Sequence, residues 1–85
     1  MATKLTIGIA GAGTMGAGIA QVTAQAGHPT ILFDLNEQVL AKAKDGLQKT
    51  LATLVSKQKI TAETQHNIIG LITFTASIDD IVQIG

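Results

Sequence analysis

The chain has 85 residues, six basic and six acidic side chains, no cysteine and 46% hydrophobic residues. That is room for one small domain, and zero net charge argues against electrostatic binding to nucleic acid or to an anionic membrane. Without cysteine there are no disulfides and no thiolate metal sites, and no apolar run approaches the roughly 18 residues of a membrane span, so a cytoplasmic domain is expected.

The run Leu5 to Ala10 suits a first strand over about 4–10, and it leaves no separate apolar segment for a signal peptide. It enters a G-x-G-x-x-G turn made by Gly11, Gly13 and Gly16. Gly11 permits the tight turn, Gly13 lets the backbone approach a pyrophosphate, and Gly16 lets the following helix lie close on the sheet. An Ala-rich helical pattern runs from Thr14 to about Ala26. Phosphates would sit at its N-terminus, where unpaired N–H groups and the helix dipole favour negative charge. Gly27 is placed to end this helix and Pro29 bars its continuation. Met15, Ile19 and Val22 follow 4/3 spacing and are expected to face the sheet.

A second strand is predicted over about 30–34, ending in Asp34, 23 residues after Gly11. Alone, Asp34 would read as a helix-leading acid or a solvated loop charge. Behind this glycine turn, it is placed to accept hydrogen bonds from the adenine ribose hydroxyls. The same charge repels a 2′-phosphate, and neither Leu35 nor Asn36 supplies a cation to welcome one. The sequence therefore favours NAD over NADP.

Asn36 is a good N-cap for a long helix over about 37–57. Leu40, Ala43, Leu47, Leu51 and Leu54 form its narrow apolar stripe. Thr61 caps a further helix over about 62–69, with Glu63 in its first turn and Gly70 placed to end it. A third strand is predicted at Leu71 to Phe74, and Ser77 with Asp79 and Asp80 opens another helical turn. The order β-α-β-α-α-β is α/β, one half of a doubly wound parallel sheet with a helical hairpin after its second strand. Residues 1–85 thus read as the N-terminal part of a nucleotide-binding domain, with the second half and any further domain lying outside the chain.

The stretch Gly11-Ala12-Gly13-Thr14-Met15-Gly16-Ala17-Gly18-Ile19-Ala20-Gln21, then Gln25-Ala26-Gly27-His28 and Phe33-Asp34, closely resembles the 3-hydroxyacyl-CoA dehydrogenase N-terminal domain. The likeness runs on through the hairpin of residues 37–69 and through Ile72-Thr73-Phe74-Thr75, and so covers nearly the whole chain. The resemblance implies a Rossmann-type fold and NAD-linked oxidation of the 3-hydroxyl of a hydroxyacyl-CoA to a ketone, the chemistry of fatty acid β-oxidation. It makes Gly11, Ala12, Gly13, Thr14, Met15, Gly16 and Asp34 the cofactor-binding set. It also implies a hydroxyl residue and a lysine that touch the CoA moiety; by position these are Thr50 and Lys57, seven residues apart on one helix face. A solvated helix face is the competing reading for both. The parent enzyme is expected to be a homodimer.

In that family the catalytic His–Glu pair, with the Ser and Asn around it, lies beyond the segment present. His28, beside Pro29, reads as a cap or surface residue, and His66 as a solvated helix residue; no acid at matching spacing orients either as a general base. No catalytic residue is therefore expected within this chain, which should be inactive alone, and no metal cluster is visible. Two other readings stand beside the first. One is a hydroxyisobutyrate-type dehydrogenase, whose usual Asn-Arg pair after the second strand is not matched by Asp34-Leu35-Asn36. The other is a non-catalytic dinucleotide-binding module. The first strand should be a sheet edge blunted only by Lys4, and the chain is expected to self-associate through it or through the apolar surface that the second half of the domain would cover.

Overall fold

The structure, a computed structural model, describes residues 5–77 and 79. Its elements are β1 (Ile7–Ala10), α1 (Thr14–Gln25), β2 (Thr30–Phe33), α2 (Glu37–Ser56), α3 (Ala62–Leu71) and β3 (Ile72–Thr75). The strands form one parallel sheet in the order β1-β2-β3, with Ile7 opposite Thr30 and Thr30 opposite Ile72. The expected order and class hold, and β1 is an edge among the described residues. Lys4 lies outside them, as do residues 78 and 80 of the helical turn expected at Ser77–Asp80.

Local chemistry fixes the helix ends. The side chain of Asn36 accepts from the N–H groups of Gln38 and Val39, and that of Thr61 accepts from Thr64 N–H. Helix α1 closes with Gly27 at φ +93, its N–H donating to Ala24 O while His28 N–H donates to Thr23 O. This pair of bonds is the Schellman ending, which needs a left-handed residue just past the helix. Helix α2 closes the same way, with Gln58 N–H on Val55 O and Lys59 N–H on Leu54 O. The left-handed residue there is Gln58, at φ +62.

The core gathers Ile9 and Leu32 from the sheet, Leu40, Leu47 and Leu51 from α2, and Ile68 from α3. Leu32 and Leu51 are fully buried. Shortening either to Ala costs about 2–5 kcal/mol, a large share of the stability of so small a domain. Thr30, the buried polar side chain among the described residues, is satisfied: its Oγ1 lies 2.8 Å from Thr23 Oγ1 and donates to His28 O at 3.0 Å.

Two sequence expectations fail. Met15, Ile19 and Val22 do not face the sheet; they are 80%, 46% and 65% exposed, while Ala20 and Ala24 are buried. The cause is the closeness of α1 to the sheet. A Cβ on Gly16 would overlap the carbonyl oxygen of Gly11, so the helix starts too close to the turn for bulk there, and the face on the sheet is lined by small residues, Gly16, Ala20, Ala24 and Thr23. The larger apolar residues are turned outward. Nor does Gly70 end α3. The helix continues to Leu71 and passes directly into β3 through Ile72, at φ −100 and ψ 121. No left-handed residue is needed where a helix turns straight into an extended strand.

Candidate functional site

All three strands point their carboxyl ends toward the glycine turn, the edge at which open parallel sheets bind ligands. Gly11 N–H donates to Phe33 O at 2.7 Å, extending the β1–β2 ladder by one rung. Its φ of +105 then turns the chain off the sheet, a conformation that suits glycine. Gly13 is the N-cap of α1, without a side-chain cap, and Ala17 N–H makes the first helical bond to its carbonyl at 2.9 Å. The first turn of α1, which begins at Thr14, therefore presents N–H groups that have no intrahelical acceptor. No acidic side chain lies in that turn to compete with an anion. A Cβ built on Gly13 would meet nothing within 4 Å, so the backbone here lies open to a ligand.

Asp34 follows β2 directly and faces this turn. Its Oδ2 accepts from Ala12 N–H at 3.0 Å, its Oδ1 accepts from Asn36 N–H at 2.9 Å, and its own N–H donates to Thr75 O at 3.2 Å. The two donated N–H bonds, Ala12 first and Asn36 second, hold the carboxyl below its ordinary value of 3.8 against a smaller opposing desolvation. The group is ionised at neutral pH. Each oxygen accepts one backbone N–H bond and retains acceptor capacity for a diol. Leu35 beside it is 80% exposed and carries no charge. A vicinal hydroxyl pair fits this corner, whereas a 2′-phosphate would meet a carboxylate followed by Leu35 and Asn36, neither of which carries a cation.

The structure thus brings Gly11, Ala12, Gly13, Thr14, Met15 and Gly16 together with Asp34. Open backbone at Gly13, exposed helix N–H groups and a pre-ordered carboxylate form the donor and acceptor set that a dinucleotide's pyrophosphate and ribose require.

A groove of about 560 Å³ runs from this turn between α1 and α2. Gly13, Thr14, Gln21, Lys42, Gly46 and Thr50 are among its walls. Gly18 and Gly46 add no bulk to it, since a Cβ on either would meet nothing within 4 Å. Thr50 is therefore joined to the glycine turn by a continuous surface. Lys57 is not; it is the exposed C-cap of α2, about 10 Å farther along the axis. Sequence reasoning missed Gln21, Lys42 and Gly46. Gly46 carried a signal, because a glycine inside a helix costs about 1 kcal/mol against alanine and asks for a reason.

The histidines stand apart from this surface. His28 Nδ1 lies 3.0 Å from Leu5 O, which ties the approach to β1 onto the turn before β2. His66 is exposed on α3. Among the described residues no group of three or more His, Cys, Asp or Glu could hold a metal ion, and no helix is long and apolar enough to cross a membrane.

The family model described as "3-hydroxyacyl-CoA dehydrogenase, NAD binding domain" matches residues 6–85. A 3-hydroxyadipyl-CoA dehydrogenase of Escherichia coli is 46% identical over 59 residues, covering 69% of this chain and 12% of that protein. A 3-hydroxybutyryl-CoA dehydrogenase of Mycobacterium tuberculosis is 36% identical over 75 residues, 88% of this chain and 26% of that protein. Among solved structures, the 3-hydroxybutyryl-CoA dehydrogenase of E. coli K12 superposes with a TM-score of 0.88 at 35% identity, over 94% of this chain and 17% of its own. The (S)-3-hydroxybutyryl-CoA dehydrogenase of Ralstonia eutropha gives a TM-score of 0.88 at 33% identity, over 93% and 28%. The chain spans about a quarter or less of the length of these relatives.

Proposed function

The chain belongs to the NAD-binding domain family of the 3-hydroxyacyl-CoA dehydrogenases, and on that premise we propose that it is the cofactor-holding part of an enzyme that oxidises an (S)-3-hydroxyacyl-CoA to the 3-ketoacyl-CoA. Its cofactor is NAD, which supplies the hydride acceptor when bound. In this reading the chain's own residues bind and orient. The N–H groups at the start of α1 receive the pyrophosphate, Gly13 gives it room, and Asp34 accepts from the adenine ribose. The observation that carries the reading is the 3.0 Å bond from Ala12 N–H to Asp34, which makes the phosphate turn and the ribose acceptor one constellation.

The groove between α1 and α2 is proposed to take part of the CoA thioester, with Thr50 as a contact along it and Lys57 as a cation near the helix end. Residues 1–85 would then be the N-terminal part of the nucleotide-binding domain, with the second half and the catalytic His–Glu pair on further polypeptide. A cytoplasmic role in fatty acid β-oxidation and a homodimeric parent enzyme complete the proposal. The lack of cysteine suits a reducing compartment.

Calorimetric titration of the chain with NAD and with NADP tests the cofactor assignment. NAD is expected to bind and NADP to bind more weakly, with Asp34→Ala erasing most of the difference. Equal affinities in the unaltered chain would overturn the ribose role. The same preparation should oxidise NADH no faster than buffer when given acetoacetyl-CoA, because neither histidine is paired with an acid as a general base requires.

A further inference from the structure

Asp34 sits where three loops meet. Its carboxylate reaches the turn after β1 through Ala12 N–H and the turn after β2 through Asn36 N–H, while its own N–H bonds the end of β3 through Thr75 O. Ala12 is 3% exposed, so water cannot replace Asp34 as acceptor without the turn opening. Gly11, one residue earlier, has left-handed backbone and a Cβ site facing open space, so no side-chain packing holds it in place. Besides the buried Ala12 side chain, which joins the hydrophobic core, the turn is secured by hydrogen bonds at its two ends: the Gly11 N–H on Phe33 O and the helical bond from Ala17 N–H to Gly13 O. Between those points, Asp34 is the acceptor for the turn's buried amide.

We infer that Asp34 is a positioning residue for the phosphate subsite as well as the ribose acceptor, holding the glycine turn in its receiving shape before any cofactor arrives. The inference rests on the NAD reading for its consequence and on the ligand-free geometry for its substance. It also assigns the Ala12 amide: that N–H is committed to Asp34 and is not one of the phosphate donors, which leaves that work to the N–H groups at the start of α1.

A ligand with phosphates and no ribose separates this role from simple ribose binding. If Asp34 served the ribose alone, removing its negative charge would leave inorganic pyrophosphate binding unchanged or strengthen it, since one repelling charge is gone. A positioning role predicts the opposite sign. Leaving a buried N–H without its charged acceptor disorders the turn, and pyrophosphate affinity should fall about tenfold in Asp34→Ala. Asp34→Asn should fall less, because its amide oxygen can still accept one of the two N–H bonds.

Hydrogen exchange of the Ala12 amide in the ligand-free chain gives the second readout. It should be protected in the unaltered chain and exchange at least about tenfold faster in Asp34→Ala, with α3 amides unchanged as the control for folding. Unchanged or tighter pyrophosphate binding in both variants, or an Ala12 amide unprotected in the unaltered chain, overturns the proposal. If the unaltered chain binds neither NAD nor pyrophosphate, the cofactor reading falls instead, and the exchange result alone then decides the positioning role. Should Asp34→Ala fail to fold, the Asn variant carries the same comparison.

Discussion

Gly16 stands so close to the carbonyl of Gly11 that no Cβ fits between them, while Gly13, between the two in sequence, faces open space. The three glycines of the turn therefore do different work. Gly16→Ala must push α1 off the sheet or distort the turn, at a cost of about 1–3 kcal/mol or more. Gly13→Ala meets no neighbour, and at φ −68 and ψ −173 its backbone suits any residue, so stability should change by less than about 1 kcal/mol. Its methyl would project where a pyrophosphate must approach. We expect a lowered melting temperature in the first variant, and near-normal melting with at least about tenfold weaker NAD binding in the second. Equal melting temperatures for the two would refute the division.

Acid should weaken the fold in part through Asp34. Its carboxyl is held below its ordinary value by the Ala12 and Asn36 N–H groups, so the folded state takes up a proton less readily than the unfolded chain. The stabilisation is present above the ordinary value of 3.8 and is lost as pH falls through the lower folded value. Urea midpoints measured from pH 7 to pH 2.5 should drop at the acid end, and Asp34→Asn should flatten that part of the curve. A variant curve parallel to the unaltered one would show that other carboxylates govern it.

Gly27 and Gln58 hold the same position in two helix endings of one design, and the second is the wrong residue for it. A side chain at φ +62 carries a steric cost that glycine avoids. Gln58→Gly should stabilise the chain by about 0.5–1 kcal/mol, raising its melting temperature by roughly 2–8 °C. Gly27→Ala, at φ +93, should destabilise it. Calorimetry of both variants checks the pair, and a destabilised Gln58→Gly would mean that the glutamine side chain has a compensating role.

The features that were legible in the sequence are those that a few adjacent residues determine. Asn36 and Thr61 cap their helices because a short side-chain oxygen reaches N–H groups two or three residues on, which depends on nothing distant. Gly27 ends α1 for an equally local reason. The face of α1 was misread because spacing identifies a stripe and not its neighbour. Here the close approach at Gly16 decides that alanine, not Met15, Ile19 or Val22, faces the sheet. Asp34 could be placed at the site from its position after β2, but its bond to Ala12 could not. That bond spans 22 residues and follows from strand register, with Ala10 opposite Phe33. The groove with Lys42 and Gly46 depends on how two helices lie together, which neither helix's pattern states.

The exposed edge and the outward face of α1 together predict self-association. Ile7 N–H donates to Pro29 O and Gly11 N–H to Phe33 O, so the odd-numbered residues of β1 bond toward β2. By the alternation of a strand, Gly8 and Ala10 turn their N–H and C=O groups to the outer side, where no described strand lies. On α1, Met15, Ile19 and Val22 leave an apolar row in water, and Leu5, ahead of β1, is 73% exposed. An uncovered strand edge tends to add another strand, and an apolar row of this kind favours burial. Sedimentation velocity of the 85-residue chain should therefore show concentration-dependent dimers or larger species. Protection of the Gly8 and Ala10 amides should rise with concentration if the edge is the contact. Ile19→Lys with Val22→Lys should restore the monomer if the helix face is the contact, and because both residues are exposed the fold should survive. A monomer at high concentration whose Gly8 and Ala10 amides are already protected would mean that residues outside the described set cover the edge, and the prediction would fail.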